Sequence, residues 1–245
     1  MVAEGSVEDA LERARRLPAL GVGLHLSLTH GHSVLGRERL PHLVDVRGRF
    51  EERLVRAALR WLAPAARREL RAEIEAQFAA FLRTGLALDH VSVHQHMHLH
   101  PVVLEDVLAV GRACGMPYLR VPLEPPALAL GGPRQDAVTR ALARRMARLC
   151  DARGIAHADA LCGLGRSGGM DEGNLRLALQ RLPEGLTELY LHPAAAPSPL
   201  LEREQPGCQG ERELAGLLSP AVRQLAEDGG IALRRCSPET LAARP

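Results

Sequence analysis

The sequence predicts an α/β fold in which short parallel strands alternate with amphipathic helices. Three observations support this prediction: apolar, strand-like runs recur along the chain, a helical pattern follows most of them, and several runs end at a histidine or a proline. Connections of this kind join parallel strands whose two faces are both covered. We therefore expect an α/β barrel or sheet formed by a single domain over residues 1–245.

The first elements are a helix and a buried strand. Ser6 and Asp9 have the spacing of a helix cap before a helical pattern over residues 7–17, and Pro18 ends that pattern. The run Val22–Leu28 is apolar apart from glycine and His25, which is typical of a strand buried in a parallel sheet.

The remaining elements continue the same order along the chain. Further helices are predicted over residues 64–82, 101–113, 136–153, 171–182 and 211–227. Further strands are predicted over residues 90–100, 118–123, 155–161, 187–191 and 231–235. The Pro- and Gly-rich stretch over residues 194–210 is predicted to be a loop, long enough to act as a lid.

Composition excludes several functional classes. The formal net charge is only +2 and the aromatic content 2%, so neither a basic surface nor stacking platforms for nucleic acid are expected. The five cysteines are odd in number and include no Cys-x-x-Cys pair, which argues against a disulfide framework or a thiolate zinc site and favours the cytoplasm. No signal-peptide pattern and no apolar run of transmembrane length is present.

Four of the eleven histidines occupy alternate positions between residues 94 and 100. Side chains two residues apart lie on the same face of a strand, so His94, His96, His98 and His100 are expected to form one row of imidazoles. Neutral imidazole is a common zinc ligand, and alternate strand positions can bring two rings to one ion. The row predicts a metal or catalytic site, although a polar strand face with hydrogen-bonded histidines would show the same pattern.

Two further histidines lie in or at the end of predicted strands. His25 lies within an apolar strand, and His192 directly follows another strand and precedes Pro193. Functional side chains of α/β folds gather at the carboxyl ends of the strands, so these histidines are expected to meet the row. Taken singly, His25 would more often be a satisfied core residue, and for His192 a strand cap and a functional role would be about equally expected.

Arg120 and Glu124 are the charged residues nearest a short apolar strand. Arg120 is either paired with a carboxylate or aimed at a ligand, and the sequence does not separate these alternatives. The glycines around Arg166 have the spacing of neither a P-loop nor a dinucleotide fingerprint, and they indicate a flexible loop near the active site instead.

Several motifs occur together in a fixed order along the chain. They are Gly23-Leu24-His25-Leu26, His94-Gln95-His96-Met97-His98, Leu119-Arg120-Val121-Pro122 with Glu124, and Thr187-Glu188-Leu189 leading to His192-Pro193. In this combination the chain resembles the YdjC-like family of carbohydrate deacetylases. Segments such as Leu43-Val44-Asp45 and Leu217-Leu218-Ser219-Pro220 resemble its hopanoid biosynthesis-associated branch.

The resemblance implies an irregular (β/α) barrel that holds one divalent metal ion, Mg²⁺ or Zn²⁺, and removes the acetyl group of an N-acetylated amino sugar, such as an N-acetylglucosaminyl hopanoid. It implies that His25 and His94 are metal ligands and that His192 donates a proton to the leaving amine. His96, His98, Arg120 and Glu124 are expected to support these ligands or to contact the substrate.

The resemblance also implies a first strand that ends in Ala-Asp-Asp-Phe-Gly and supplies a carboxylate ligand. This sequence contains no such motif, and its opening Met1-Val2-Ala3 resembles the end of the family's second strand. We therefore expect the chain to lack its first strand and helix. An open sheet edge would leave backbone groups unpaired, which favours association into a homodimer.

Two other functions remain open from the residues alone. Another metal-dependent hydrolase, such as an amidohydrolase or a phosphoesterase, would also place a His-x-His motif at the end of a barrel strand. A non-catalytic protein that binds sugars or lipid headgroups would keep the fold without the carboxylate.

Overall fold

The computed structural model describes residues 1–197, 202 and 205–236. These residues fall into two compact units. The first unit contains residues 1–120, 146–157 and 235–236, and the second contains residues 121–145, 158–197, 202 and 205–234. The structure is α/β, as predicted.

Helices and strands alternate along the described chain. The helices are α1 (Val7–Arg16), α2 (Gly36–Arg39), α3 (Leu54–Arg60), α4 (Pro64–Leu82), α5 (Pro101–Ala113), α6 (Ala137–Asp151), α7 (Glu172–Leu179), α8 (Gly210–Leu218) and α9 (Pro220–Asp228). The strands are β1 (Leu24–Leu26), β2 (Val91–Val93), β3 (Ala160–Cys162) and β4 (Thr187–Leu189). Two 3-10 helices span His94–Leu99 and Pro126–Leu128.

The first unit is built on the parallel pair β1 and β2, in which Leu24 lies opposite Val91 and Leu26 opposite Val93. Two isolated parallel bridges extend this pairing, from Val91 to Leu119 and from Tyr118 to Ala156. Helix α4 contacts both α5 and β1. It begins at a proline, which needs no amide partner in the first turn of a helix. Its inner face consists of the buried side chains Leu70, Ile74, Phe78 and Phe81.

The second unit contains the parallel pair β3 and β4, which aligns Ala160 with Thr187 and Cys162 with Leu189. Leu161 N–H donates a hydrogen bond to Leu123 O and ties the preceding loop to β3. The apolar core of this unit consists of Leu128, Leu130, Ala160, Cys162, Met170, Leu175 and Ala178.

Helices were predicted more accurately than strands. Helices α4 and α5 have their predicted bounds, and Asp171 caps α7 by accepting a hydrogen bond of 3.1 Å from Asn174 N. Ser6 holds the N-cap position of α1, as predicted, but its side chain makes no capping hydrogen bond. Residues 231–235 form no strand, and the observed strands are three residues long.

The single helix predicted over residues 211–227 is in fact two helices, α8 and α9, separated at Ser219. Pro220 causes the break. It has no backbone N–H to continue the helical hydrogen bonding, and its ring disfavours helical geometry at the residue before it. Within the described ranges the strands form two two-stranded sheets and close no barrel, so the barrel remains a prediction. None of the helices described is both long and apolar enough to cross a bilayer.

Candidate functional site

His25 on β1 and His94 directly after β2 lie side by side. His25 is the central residue of β1 and pairs directly with Ser92, whereas His94 follows the last residue of β2. The two imidazole rings meet edge to face, with centroids 5.7 Å apart and an interplanar angle of 83°. Parallel pairing explains this proximity, because it brings the carboxyl ends of both strands to one edge of the sheet.

The surroundings of His25 keep its imidazole neutral. Burial is the main reason that its pKa lies well below the ordinary value, and electrostatic interactions with His94, the amino terminus and Arg120 lower the pKa further. Its Nδ1 shares a hydrogen bond of 2.8 Å with Ser92 Oγ. The ring is therefore oriented by its neighbour on β2, and Nε2 is the nitrogen left for a ligand.

The four alternating histidines do not form one row, which corrects the sequence-based prediction. After Val93 the chain enters a 3-10 helix in which Gln95 and His96 both have φ of 52°, in the left-handed region. The extended conformation of β2 ends at Val93 because the last pair between β1 and β2 is Leu26 with Val93. The chain must then turn before Pro101 begins α5.

The three later histidines consequently take different surroundings. His98 is fully buried, and its Nε2–H donates a hydrogen bond of 2.7 Å to Arg120 O. Burial lowers the pKa of His98 to about 4. The His96 and His98 rings lie 6.1 Å apart, and the His100 ring packs edge to face on Trp61. His100 thus contributes to packing.

His30 is a candidate that sequence analysis missed. Its ring lies edge to face with His94 at a centroid distance of 5.4 Å, and its backbone has φ of 59°. His30 Nδ1 and the neighbouring Thr29 Oγ1 are buried atoms without a hydrogen-bond partner in the structure. Buried polar atoms of this kind are uncommon, and their place beside His94 makes His30 a candidate ligand-binding residue. The position of His30 four residues after β1 could have revealed it.

His192 and its neighbours belong to the second unit. Glu213 on α8 is fully buried, and its carboxylate accepts hydrogen bonds from the backbone N–H groups of His192 and Met170. The His192 ring meets Tyr190 edge to face, with centroids 4.7 Å apart. A buried carboxylate thus fixes the backbone at His192, and an aromatic ring supports its imidazole.

Glu124, also in the second unit, organises the glycine-rich loop. Its Oε1 accepts hydrogen bonds from Gly163 N and Leu164 N, both 2.8 Å long, and its Oε2 accepts one of 2.9 Å from Gly165 N. Burial raises the pKa of Glu124, and these three hydrogen bonds oppose that rise. The geometry shows Glu124 holding the loop, and a contact with substrate remains a prediction.

The donor atoms around His94 suit a divalent cation in part. His25 and His94 offer two imidazole side chains whose rings meet, and His30 packs on the His94 ring. Among the described residues, no third His, Cys, Asp or Glu completes a group with His25 and His94 in which all donor atoms lie within 4.8 Å. The residues therefore fit a two-nitrogen site whose other coordination positions are open to water or substrate.

Comparisons with known proteins find one matching family model and several similar proteins. The family model described as YdjC-like protein matches residues 1–228. A carbohydrate deacetylase of Homo sapiens is 32% identical over 94% of this chain and 78% of its own length. One of Thermoanaerobacter pseudethanolicus is 25% identical over 94% of this chain and 82% of its own length.

A carbohydrate deacetylase of Brevibacillus brevis is 37% identical over 48% of this chain, and that match spans only 44% of the relative's length. A solved structure from Enterococcus faecalis V583, titled as a cellobiose-phosphate cleavage protein, has a TM-score of 0.74 at 23% identity. It matches 96% of this chain and 84% of its own, which shows a shared fold. Because the family model covers nearly the whole sequence, the chain belongs to the YdjC-like protein family.

Proposed function

We propose that this chain is a metal-dependent hydrolase that removes the acetyl group from an N-acetylated amino sugar. The observation that carries the proposal is the meeting of His25, on β1, and His94, which follows the adjacent parallel strand β2, with His25 kept neutral by burial. The names of the relatives support the same reaction, since they include carbohydrate deacetylases and a chitooligosaccharide deacetylase of Serratia marcescens.

In this proposal His25 and His94 bind one divalent cation, Mg²⁺ or Zn²⁺. When bound, such a cation polarises the acetamide carbonyl and activates a water molecule. Ser92 keeps the His25 ring in its orientation through the hydrogen bond to Nδ1. His98 anchors the 3-10 helix by donating to Arg120 O, which holds the backbone that follows His94 in place.

We assign the proton donor to His192. Amide hydrolysis expels an amine, which is a poor leaving group until it is protonated, and imidazole suits this task near neutral pH. Glu213 positions the His192 backbone. His96 and the Arg120 guanidinium are proposed to contact the sugar, and Glu124 to hold the loop on the substrate side through its three backbone hydrogen bonds.

The finer proposals rest on sequence resemblance. We propose an N-acetylglucosaminyl hopanoid as the substrate, a homodimer as the assembled form, the cytoplasm as the compartment, and an irregular barrel for the complete fold. The substrate proposal predicts higher kcat/KM for the lipid-linked sugar than for free N-acetylglucosamine.

The test combines metal content with acetate release. The intact protein is loaded with Mg²⁺ or Zn²⁺, its bound metal is measured by mass spectrometry, and acetate release is followed with N-acetylglucosaminyl substrates and with a phosphate ester. We expect His25→Ala with His94→Ala to bind one metal ion fewer and to lose deacetylation. His42→Ala, which changes an exposed histidine of the same unit, is the matched control.

His192→Ala should retain the metal and lower turnover by about 10² to 10⁴, the range for loss of an acid–base group. Unchanged metal stoichiometry in the His25 and His94 double variant would contradict the proposed ligands. Hydrolysis of the phosphate ester without acetate release would support the phosphoesterase alternative, and sugar binding without either reaction would support a binding protein.

A further inference from the structure

We infer that the first unit carries a second divalent-cation site, of the zinc type, formed by Asp89, His90 and Cys236. Asp89 and His90 directly precede β2, so this site lies at the opposite end of that strand from His94. At a rise of about 3.3 Å per residue, the four residue steps from His90 to His94 correspond to roughly 13 Å along the chain. The inference stands apart from the proposed deacetylase function.

The three side chains bring oxygen, nitrogen and sulfur donors to one place. One donor atom from each lies within 4.8 Å of the other two, and this is the one group of three such side chains within the residues the structure describes. Asp89 Oδ2 and His90 Nδ1 are 3.0 Å apart. Ligands bound to one Zn²⁺ at its usual bond lengths of about 2.0 to 2.3 Å are separated by roughly 3.3 to 3.8 Å, so small side-chain movements suffice.

The backbone holds Asp89 and His90 firmly beside β1. Asp89 N–H donates to Val22 O at 3.1 Å, and His90 O accepts from Leu24 N at 2.9 Å. Two glycines leave the space that these side chains fill. A Cβ atom at Gly21 would lie 2.5 Å from Asp89 Oδ2, and one at Gly23 would lie 2.4 Å from the His90 ring. Two of the three ligands are therefore held in place before any cation binds.

Contacts of Arg235 hold the adjacent Cys236 near Asp89 and His90. Arg235 Nε lies 3.5 Å from Asp89 Oδ1, and its Nη1 donates a hydrogen bond of 3.2 Å to Pro18 O. These contacts bring the next residue, Cys236, to Asp89 and His90 although the three are far apart in sequence. Asp89 is 6% exposed, and its Oδ1 accepts no hydrogen bond in the structure.

The charges also suit a borderline divalent cation. A thiolate and a carboxylate together carry two negative charges, which match those of Zn²⁺, and a neutral imidazole completes three protein ligands. His90 remains partly exposed, so a water molecule can take the fourth position. Mixed ligands that include a thiolate favour Zn²⁺ over Mg²⁺, which prefers oxygen ligands.

The experiment uses the intact protein with His25→Ala and His94→Ala, so that the proposed catalytic site does not contribute. Zn²⁺ binding is measured by calorimetry, and Co²⁺ serves as a spectroscopic probe, because thiolate ligation produces an intense charge-transfer band. We expect one Zn²⁺ per chain and a cobalt–thiolate band. Adding Cys236→Ser should remove the band and weaken Zn²⁺ binding by more than about 100-fold, since loss of an outer partner alone costs about 10- to 100-fold.

Cys114→Ser is the matched control, because Cys114 is also partly exposed and belongs to the same unit. It should leave both readouts unchanged. His90→Ala provides a second variant, and bound Zn²⁺ should protect Cys236 from alkylation in the parent protein. Absence of the band, or equal Zn²⁺ affinity with and without Cys236, would overturn the inference and leave only the Arg235 and Asp89 ion pair. Either result is independent of deacetylase activity.

Discussion

His98 is expected to make the stability of the protein depend on pH in the acidic range. Its side chain is fully buried, and burial lowers its pKa from 6.5 to about 4. In the unfolded chain the same imidazole takes up a proton near pH 6.5. Between these values the unfolded state therefore binds more protons than the native state, and the free energy of unfolding falls as the pH falls.

The size of this effect follows from the two pKa values. The interval from 6.5 to about 4, at roughly 1.4 kcal/mol for each pH unit, corresponds to about 3 kcal/mol. The stabilisation is complete above pH 6.5, and its loss is complete below about pH 4. His98→Gln removes the titration while its amide N–H can still donate to Arg120 O.

Urea unfolding of the wild type and His98→Gln, in the presence of a chelator, tests the reasoning. From pH 7 to pH 4 the wild type should lose about 3 kcal/mol more than the variant. Between pH 7 and pH 8 the difference between the two proteins should stay constant, because the imidazole is neutral in both states. Parallel stability curves from pH 7 down to pH 4 would refute the assignment of a depressed pKa to His98.

Two further substitutions test the site and the packing. Ser92→Ala removes the hydrogen-bond partner of His25 Nδ1 and should weaken metal binding by about 10- to 100-fold in calorimetry, whereas Ser33→Ala should leave the affinity unchanged. Gly132→Ala would place a Cβ atom 1.8 Å from a backbone oxygen and should lower the free energy of unfolding by about 1 to 3 kcal/mol or more. Gly5→Ala, which has nothing within 4 Å of the added atom, should be nearly neutral in the same urea titration; equal effects would contradict the packing argument.

Local signals allowed the helices to be predicted closely. Pro64 and Pro101 start α4 and α5 at their predicted residues, and Asp171 caps α7, because a missing amide or a capping carboxylate acts within one turn. The break before Pro220 was equally local and could have been predicted from that proline.

Strand ends were predicted poorly, because a strand ends where its pairing partner ends. The partner of β2 is distant in the sequence: Ser92 pairs with His25, which lies 67 positions earlier.

The same distinction explains which candidate site residues sequence reasoning found. The sequence shows directly that histidines are abundant after β2. The direction in which each of them points depends on where the pairing of β2 with β1 ends, which is at Leu26. Once pairing stops, Gln95 turns into the left-handed region, and alternation no longer decides which side chains share a face. His30 and Cys236 remained hidden for the same reason, because each reaches its neighbours only through the folded chain. A residue pattern can therefore indicate that ligands are present, but the set that meets at one point follows from where the strands pair and where they stop.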